Sequence, residues 1–257
     1  MSTSSNTPKA TTIIFVPGAW HSPECYRRVS NILEKEAGYK TDFVHLSSVG
    51  PTKHLLDFNE DVNVVREHVL QAVEKDEYVI MVVHSYGGVP TSQALEGLDV
   101  NSRKAAGKKG GVMHIFFCCS FVLKEGQSLV GAFGGINPPW FIISPDQLEV
   151  TVNHPEDVFY NDMSEEDVKA SVAGLRPHSY RTYLSPLSFA AWKVIPSTYL
   201  YCLKDNAIPY PIQKAMIEGN AKDFGFKTGT LDASHSPFFS LPVETANAIR
   251  VAAGEVL

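Results

Sequence analysis

Short apolar segments recur along the chain and alternate with longer stretches in which apolar residues are spaced three or four positions apart. The short segments are rich in β-branched and aromatic residues, a composition that predicts β-strands. They cover residues 11–16, 41–46, 78–83, 112–119, 197–203 and 226–230. A continuous apolar run such as 78–83 is typical of a parallel strand that is buried on both faces.

Helices are predicted between these strands, at residues 23–37, 57–73, 91–96, 211–220 and 243–253. The second helix opens with Asp57 and Glu60, whose spacing resembles a capping box. Residues 101–111 combine basic residues with glycines, which predicts a surface loop. Strands that alternate with helices predict an α/β fold with a mostly parallel sheet flanked by helices. In such a fold, ligands bind at the carboxyl ends of the strands.

The alternation breaks off at residues 121–196, which contain scattered prolines and aromatic residues and one clear helix opened by Ser164. Long insertions in α/β chains are commonly functional, so we interpret this one as a cap over the substrate pocket. Residues 11–257 are predicted to form a single domain that includes the cap. Residues 1–10, rich in serine and threonine, are predicted to be disordered.

Composition narrows the possible partners. The net charge of −6 argues against nucleic acid and anionic membranes, and no apolar run reaches the length of a membrane span. We therefore expect a small-molecule substrate. The four cysteines, Cys25, Cys118, Cys119 and Cys202, form no C-x-x-C pair, which favours buried thiols in a reducing compartment and predicts a cytoplasmic protein. Monomer and homodimer both remain open.

A single polar side chain follows the most apolar strand. Ser85 stands directly after it, and Gly87 follows two residues later, which predicts a sharp strand-to-helix elbow with the serine at its tip. The match to G-x-S-x-G is partial because Val83 occupies the first glycine position. Ser85 is the candidate nucleophile, and the N–H of Tyr86 would stabilise negative charge at a helix N-terminus. The alternative is a serine in an ordinary turn.

An acid and a histidine follow at the ends of later strands. Asp205 and His235 come after Ser85 in the order Ser, Asp, His, and a catalytic triad needs all three. The histidine takes the serine proton, and the acid fixes the tautomer of the histidine. Asp232 is a rival acid, although three residues from His235 it is better placed to order that loop.

Four motifs carry a resemblance to a known family: FVPGAWH at 15–21, HSYGG at 84–88, DNAIP at 205–209 and SHSP at 234–237. With them the chain resembles the α/β-hydrolase superfamily, in the branch of methyl-salicylate-type esterases, hydroxynitrile lyases and uncharacterised microbial hydrolases. The resemblance spans essentially the whole chain and implies an oxyanion hole made by the N–H groups of Ala19 and Tyr86. Hydroxynitrile lyases of this branch carry lysine in the place of Ser236 and threonine in the place of Gly18, so ester cleavage is favoured.

We therefore expect a serine hydrolase that cleaves a small, largely apolar carboxylic ester, lactone or thioester through an acyl-enzyme, without a metal or organic cofactor. One alternative is a lyase, isomerase or cyclase on the same scaffold, with His235 as general base. Another is a small-ligand receptor. Six residues are predicted to form the pocket walls: Trp20, His21, Phe121, Trp140, Tyr160 and Trp192.

Overall fold

The computed structural model describes residues 11–257, so the disorder predicted for residues 1–10 lies outside the described residues. The strands within this range are labelled in chain order: β1 (Thr11–Val16), β2 (Lys40–Phe43), β3 (Tyr78–His84), β4 (Gly111–Cys118), β5 (Phe141–Ile143), β6 (Glu149–Val152), β7 (His178–Ser179), β8 (Ser197–Cys202) and β9 (Lys227–Leu231). The six strands predicted from the sequence are β1, β2, β3, β4, β8 and β9, each with bounds within a few residues of the prediction.

The main sheet is parallel throughout. Within residues 11–257 it contains six strands in the order β2-β1-β3-β4-β8-β9, and every neighbouring pair runs in the same direction. The predicted α/β fold with a parallel sheet flanked by helices is confirmed. Because the strands are parallel, their carboxyl ends share one edge, and the loops that follow them can place side chains together.

The helices are labelled in the same way: α1 (Arg27–Ala37), α2 (Asn59–Val73), α3 (Gly88–Ala94), α4 (Val100–Ala105), α5 (Leu129–Ala132), α6 (Pro155–Phe159), α7 (Glu165–Gly174), α8 (Tyr210–Ala215), α9 (Pro237–Ser240) and α10 (Pro242–Ala252). Short 3₁₀ turns lie at Pro23–Tyr26, Ser85–Gly87, Tyr180–Leu184 and Ala191–Lys193, and a π-helical turn, Met216–Asn220, extends α8. No helix within residues 11–257 has both the length and the apolar character needed to cross a membrane.

The core lies on both faces of the main sheet because strand side chains alternate between the faces. Along β1, Ile13 and Phe15 pack in one apolar cluster together with residues of α1 and α10. Ile14 and Val16 pack in the other cluster, together with residues of α2. This double coverage explains why β3 is apolar at nearly every position, with Val79 to Val83 almost completely buried.

Two local predictions are wrong. Helix α2 begins at Asn59 rather than at a capping box, because the Asp57 carboxylate accepts a hydrogen bond from the N–H of Asn59 at 2.8 Å and so closes a turn before the helix. Residues 101–111 are not wholly loop, since α4 occupies their first half and its cap, Asp99, accepts from two helix N–H groups. Arg103 on α4 is buried and bonds the carbonyl of Val73 at 2.7 Å.

The segment between β4 and β8 departs from the alternation, as predicted for 121–196. Among the described residues, it holds a three-stranded antiparallel sheet in the order β5-β6-β7 and the helices α5, α6 and α7. Ser164 caps α7 by accepting from the N–H of Asp167. A backbone hydrogen bond from Gly50 to Pro177 joins this segment to the loop after β2. The role of this segment as a cap stays a prediction.

Candidate active site

Ser85 lies at a strained turn between β3 and α3. Its φ of 50° is in the left-handed region, which costs a residue with a side chain about 1–3 kcal/mol and persists only where the surroundings enforce it. The carbonyl of Ser85 accepts hydrogen bonds from Ser120 Oγ at 2.7 Å and from the N–H of Phe121 at 3.2 Å. The loop after β4 therefore holds this turn in place.

The loop after β1 lies directly against the elbow. A Cβ on Gly18 would come within 2.7 Å of His84 Nδ1 and 2.8 Å of Ser85 Cβ, so only glycine allows this approach. A Cβ on Gly87 would collide with the carbonyl oxygen of Pro17. Val83, in the first glycine position of the motif, is still within β3 and packs in the core, which is why a branched side chain fits there.

Asp205 and His235 are in direct contact at the carboxyl edge of the sheet. His235 Nδ1 donates to Asp205 Oδ2 at 2.7 Å, and both side chains are almost completely buried. The N–H groups of Ala207 and Ile208 each donate to Asp205 Oδ1 at 2.8 Å, and Gln213 Nε2 donates to Oδ2 at 3.1 Å. Four donors thus fix the position and orientation of the carboxylate.

Asp232, the alternative acid, does not hydrogen-bond His235. Asp232 pairs with Lys204 Nζ at 2.7 Å on the protein surface, where its side chain is 69% exposed. It therefore orders the surface of the loop that carries His235, while Asp205 bonds the imidazole.

His235 is held from its main chain as well as from its ring. Its carbonyl accepts from His84 Nε2 at 2.8 Å and from Cys119 Sγ at 3.4 Å. The rings of His84 and His235 lie 4.5 Å apart, which brings His235 beside the residue that precedes Ser85. With Nδ1 donating to Asp205, Nε2 is left as the proton acceptor of the neutral ring.

Among residues 11–257 no hydrogen bond joins Ser85 Oγ to His235. Nucleophile–base hydrogen bonds are commonly long in unliganded enzymes and tighten when substrate binds. The structure thus brings Asp205 and His235 into contact and brings His235 to the elbow, while the joint action of the three side chains stays a prediction.

A narrow cavity opens at Ser85 and is lined almost entirely by apolar side chains. Ala19 and Tyr86, the predicted oxyanion-hole residues, lie in its wall beside Ser85. The other lining residues come mainly from the segment between β4 and β8 and from the loops after β1 and β8: Trp20, Phe121, Leu129, Phe133, Pro138, Trp140, Phe141, Tyr183, Ala207 and Ile208. Trp20, Phe121 and Trp140, three of the predicted wall residues, thus line this cavity, and their part in binding a substrate stays a prediction.

Three predicted wall residues do not line this cavity. Trp192 donates from Nε1 to the carbonyl of Leu123 at 2.9 Å and packs edge-on against Phe224, so it is a core residue. His21 Nδ1 donates to the carbonyl of Ala19 at 2.7 Å, and Tyr160 OH donates to His21 Nε2 at 2.8 Å. Burial lowers the pKa of His21 to about 4, so its ring is neutral.

These bonds tie the loop after β1 to the insertion. Besides the Tyr160–His21 contact, Trp20 Nε1 donates to the carbonyl of Val150 in β6 at 2.9 Å, and the N–H of Arg176 donates to the carbonyl of Trp20 at 3.0 Å. Trp20 has a φ of 63°, so this loop is strained as well. The backbone of Ala19 is thus held from both sides, as a donor to a developing charge must be.

Sequence reasoning missed two buried polar residues that support the site. Asp61 Oδ2 accepts from Tyr86 OH at 2.7 Å, and Asp61 Oδ1 accepts from the N–H of Ser48 at 2.9 Å. Burial raises the pKa of Asp61. Gln213 is buried and bonds Asp205. For Asp61 the sequence did contain an indication. Asp61 shares its helix face with the apolar Val65 and Val69, and a polar residue on a buried helix face needs a hydrogen-bond partner.

Two groups of potential metal ligands lie close to the site. The Sγ atoms of Cys118, Cys119 and Cys202 lie within 4.8 Å of one another, and so do ligand atoms of His84, Cys119 and His235. In the second group Cys119 Sγ and His84 Nε2 already bond the carbonyl of His235, and His235 Nδ1 bonds Asp205. All of these side chains are buried. We assign no metal to either group.

Comparison with known proteins places these features in a family. The sequence pattern described as "Alpha/beta hydrolase family" matches residues 13–248. An α/β hydrolase of Aspergillus novofumigatus, nvfD, is 30% identical over 250 residues, which are 95% of this chain and 97% of that protein. Methyl jasmonate esterase 1 of Vitis vinifera is 27% identical over 250 residues, which are 90% of this chain and 92% of that protein.

Among solved structures, a methylesterase of Arabidopsis superposes with a TM-score of 0.72 at 22% identity and covers 95% of this chain and 99% of its own. This likeness shows the fold. The chain therefore belongs to the α/β-hydrolase family, its relatives include esterases of the kind that its motifs resemble, and it is an enzyme of the hydrolase type.

Proposed function

We propose that this enzyme is a serine esterase that cleaves a small, largely apolar carboxylic ester, lactone or thioester through an acyl-enzyme. The observation that carries the proposal is the buried His235–Asp205 pair, 2.7 Å apart, beside a serine held at a φ of 50° in the wall of an apolar cavity. A serine at the tip of a strained turn, beside an oriented base, is the arrangement that serine nucleophiles need.

In the proposed reaction Ser85 Oγ attacks the carbonyl carbon while His235 Nε2 accepts the serine proton. The N–H groups of Ala19 and Tyr86 stabilise the oxyanion, and Asp205 stabilises the imidazolium. Collapse of the intermediate breaks the ester bond, and the His235 proton passes to the leaving alcohol or thiol. Water, activated by His235, then attacks the acyl-Ser85 carbonyl and releases the acid, which restores the free serine.

The cavity supports a neutral substrate of small size. Its lining residues include no Asp, Glu, Lys, Arg or His, so a charged group on the substrate would lose its hydration without a partner. One relative is named as a methyl jasmonate esterase and one structural neighbour as a methylesterase. Both names agree with an ester as substrate.

We also propose that the segment between β4 and β8 acts as a cap, because it supplies most of the cavity wall.

The test is the Ser85→Ala variant together with active-site labelling. We expect wild-type protein to hydrolyse p-nitrophenyl acetate or butyrate and to be labelled by a fluorophosphonate at Ser85, as located by mass spectrometry. Ser85→Ala should lower kcat by at least about a thousandfold while the fold is kept.

Ser102→Ala is the matched control, since Ser102 is exposed on α4, a helix that packs near the start of β4. It should leave hydrolysis and labelling unchanged. Near-normal turnover by Ser85→Ala would rule out the acyl-enzyme. It would favour chemistry in which His235 acts as a general base without a covalent intermediate.

A further inference from the structure

One side chain in the cavity wall carries a hydroxyl without a partner. Tyr183 is 1% exposed, and within residues 11–257 its hydroxyl makes no hydrogen bond. Buried hydroxyls are nearly always paired, so an unpaired one in a binding cavity indicates a contact that a ligand completes. Other buried tyrosine hydroxyls do have partners: Tyr26 (Val16 O), Tyr86 (Asp61), Tyr160 (His21), Tyr180 (Asn137) and Tyr199 (Ser120 O).

Packing prevents Tyr183 from turning to find a partner in the protein. Its ring stacks on His178 with centroids 4.8 Å apart and an interplanar angle of 25°. It also contacts Tyr86 at 5.4 Å, Phe141 at 5.5 Å and Trp20 at 6.0 Å. The Tyr183 ring is thus fixed beside the Tyr86 ring, in the wall of the cavity that Ser85 also lines, and its hydroxyl is held in one place. Burial raises the pKa of Tyr183, so the phenol stays neutral and can donate.

We infer that the Tyr183 hydroxyl is a specificity contact, and that it hydrogen-bonds a second, uncharged oxygen on the substrate, separate from the ester group that Ser85 attacks. The inference rests on the proposed esterase function and adds to it one polar contact in an otherwise apolar wall. Aromatic esters are suitable probes because Trp20, Trp140 and Phe141 line the same cavity. The oxygen is a neutral hydroxyl, ketone or ether, since no lining side chain could balance a charge.

The test compares esters that differ only in the second oxygen. Methyl 3- and 4-hydroxybenzoate are compared with methyl 3- and 4-methylbenzoate, which have a methyl group of similar size in place of the hydroxyl. The quantity compared is kcat/KM for the hydroxyl ester divided by kcat/KM for the matching methyl ester. For at least one ring position, this ratio should be about tenfold higher for wild-type protein than for Tyr183→Phe. Intrinsic ester reactivity cancels, because it is the same for both proteins.

Tyr180→Phe is the matched control. Its hydroxyl bonds Asn137, the Tyr180 ring lies 6.3 Å from that of Tyr183, and Tyr180 does not line the cavity. Tyr180→Phe should keep the wild-type preference. A thermal melt separates specificity from structure: Tyr183→Phe removes an unpaired hydroxyl and should not lower Tm, whereas Tyr180→Phe removes a bonded one and should.

A binding measurement separates this inference from the proposed mechanism. Ser85→Ala protein is titrated with the same four esters, and binding is followed by tryptophan fluorescence. It should bind at least one hydroxyl ester more tightly than the matching methyl ester. The double variant that also carries Tyr183→Phe should bind the two esters equally. If Ser85→Ala still hydrolyses esters, the mechanism fails while the binding preference is measured independently. Equal effects of Tyr183→Phe on hydroxyl and methyl esters, or no binding of any ester in the panel, would overturn the inference.

Discussion

Gly18 shows how closely a single residue controls the predicted oxyanion hole. The neighbouring Ala19 is predicted to donate its N–H to the oxyanion, and Gly18 packs against His84 and Ser85 at distances that leave no room for a Cβ. We expect Gly18→Ala to push the loop away from the elbow and to lower kcat by about 10- to 100-fold, because donors misplaced by about 1 Å lose much of their effect. Steady-state kinetics on p-nitrophenyl butyrate measure the change.

Gly174→Ala is the matched control for that substitution. Gly174 ends α7, and a Cβ there would meet nothing within 4 Å. It should keep wild-type kcat and be neutral or slightly stabilising, since alanine is the better helix former. A Gly18→Ala enzyme with unchanged kcat would mean that the loop after β1 takes no part in stabilising the transition state.

Single residues of the site differ in how far sequence could predict them. Ser85, Asp205 and His235 follow strands that are easy to recognise, so the pattern of the chain is enough to predict that they share one edge of the sheet. Trp192 could not be placed, because an aromatic residue in an irregular insertion is equally compatible with a pocket wall and with the core. Tyr183 was only one of several scattered aromatic residues in the insertion, because the lack of a partner for its hydroxyl is seen only in the packed structure.

At the scale of elements, helix α2 supports the elbow through one buried carboxylate. Asp61 lies in the first turn of α2 and joins the loop after β2, through the N–H of Ser48, to the side chain of Tyr86. The Tyr86 ring in turn packs edge-on against His178 of β7 at 4.8 Å. A helix, the elbow and the small sheet therefore meet around one acid.

We predict that Asp61→Asn and Tyr86→Phe are strongly coupled. Tyr86→Phe leaves a buried Asp61 oxygen without its donor, and Asp61→Asn leaves one accepting oxygen for two buried donors, so each should lower the free energy of unfolding by about 1–3 kcal/mol. Because both changes act on the same contact, the double variant should be little worse than the poorer single one. Urea denaturation gives the coupling energy, and kcat reports whether the Tyr86 N–H moves.

Asp57→Asn is the control for this cycle, because Asp57 precedes the same helix but is exposed. It should change stability by less than about 0.5 kcal/mol. Additive effects of Asp61→Asn and Tyr86→Phe would contradict the coupling.

Element boundaries were less predictable than element order. The β and α alternation was correct because apolar runs report burial directly. The capping box at Asp57 failed because the same carboxylate can close a turn just before the helix, and both arrangements use the same residue types. Helix α4 was missed because its basic residues suggested solvent, whereas Arg103 is buried with its guanidinium bonded to backbone carbonyls.

Over the whole molecule, several histidines are buried in neutral form. Burial lowers the pKa of His21 and His114 to about 4 and that of His178 to about 3, and it lowers the pKa of His84 as well. These residues lie in the loop after β1, in β4, in β7 and in β3. The neutral state is thus required in the main sheet as well as in the segment between β4 and β8.

These shifts predict loss of stability in mild acid. Between pH 6.5 and pH 4 the unfolded chain binds protons that the folded protein does not, so the stabilisation is fully present above pH 6.5 and is lost as the pH falls. His21 alone accounts for about 3 kcal/mol over this range. Urea midpoints at pH 7.5 and pH 5 should show the fall, and His21→Gln should make it smaller, whereas replacement of the exposed His45 by glutamine should leave it unchanged. Equal midpoints at the two pH values would show that the buried rings accept protons without unfolding, contrary to the packing around them.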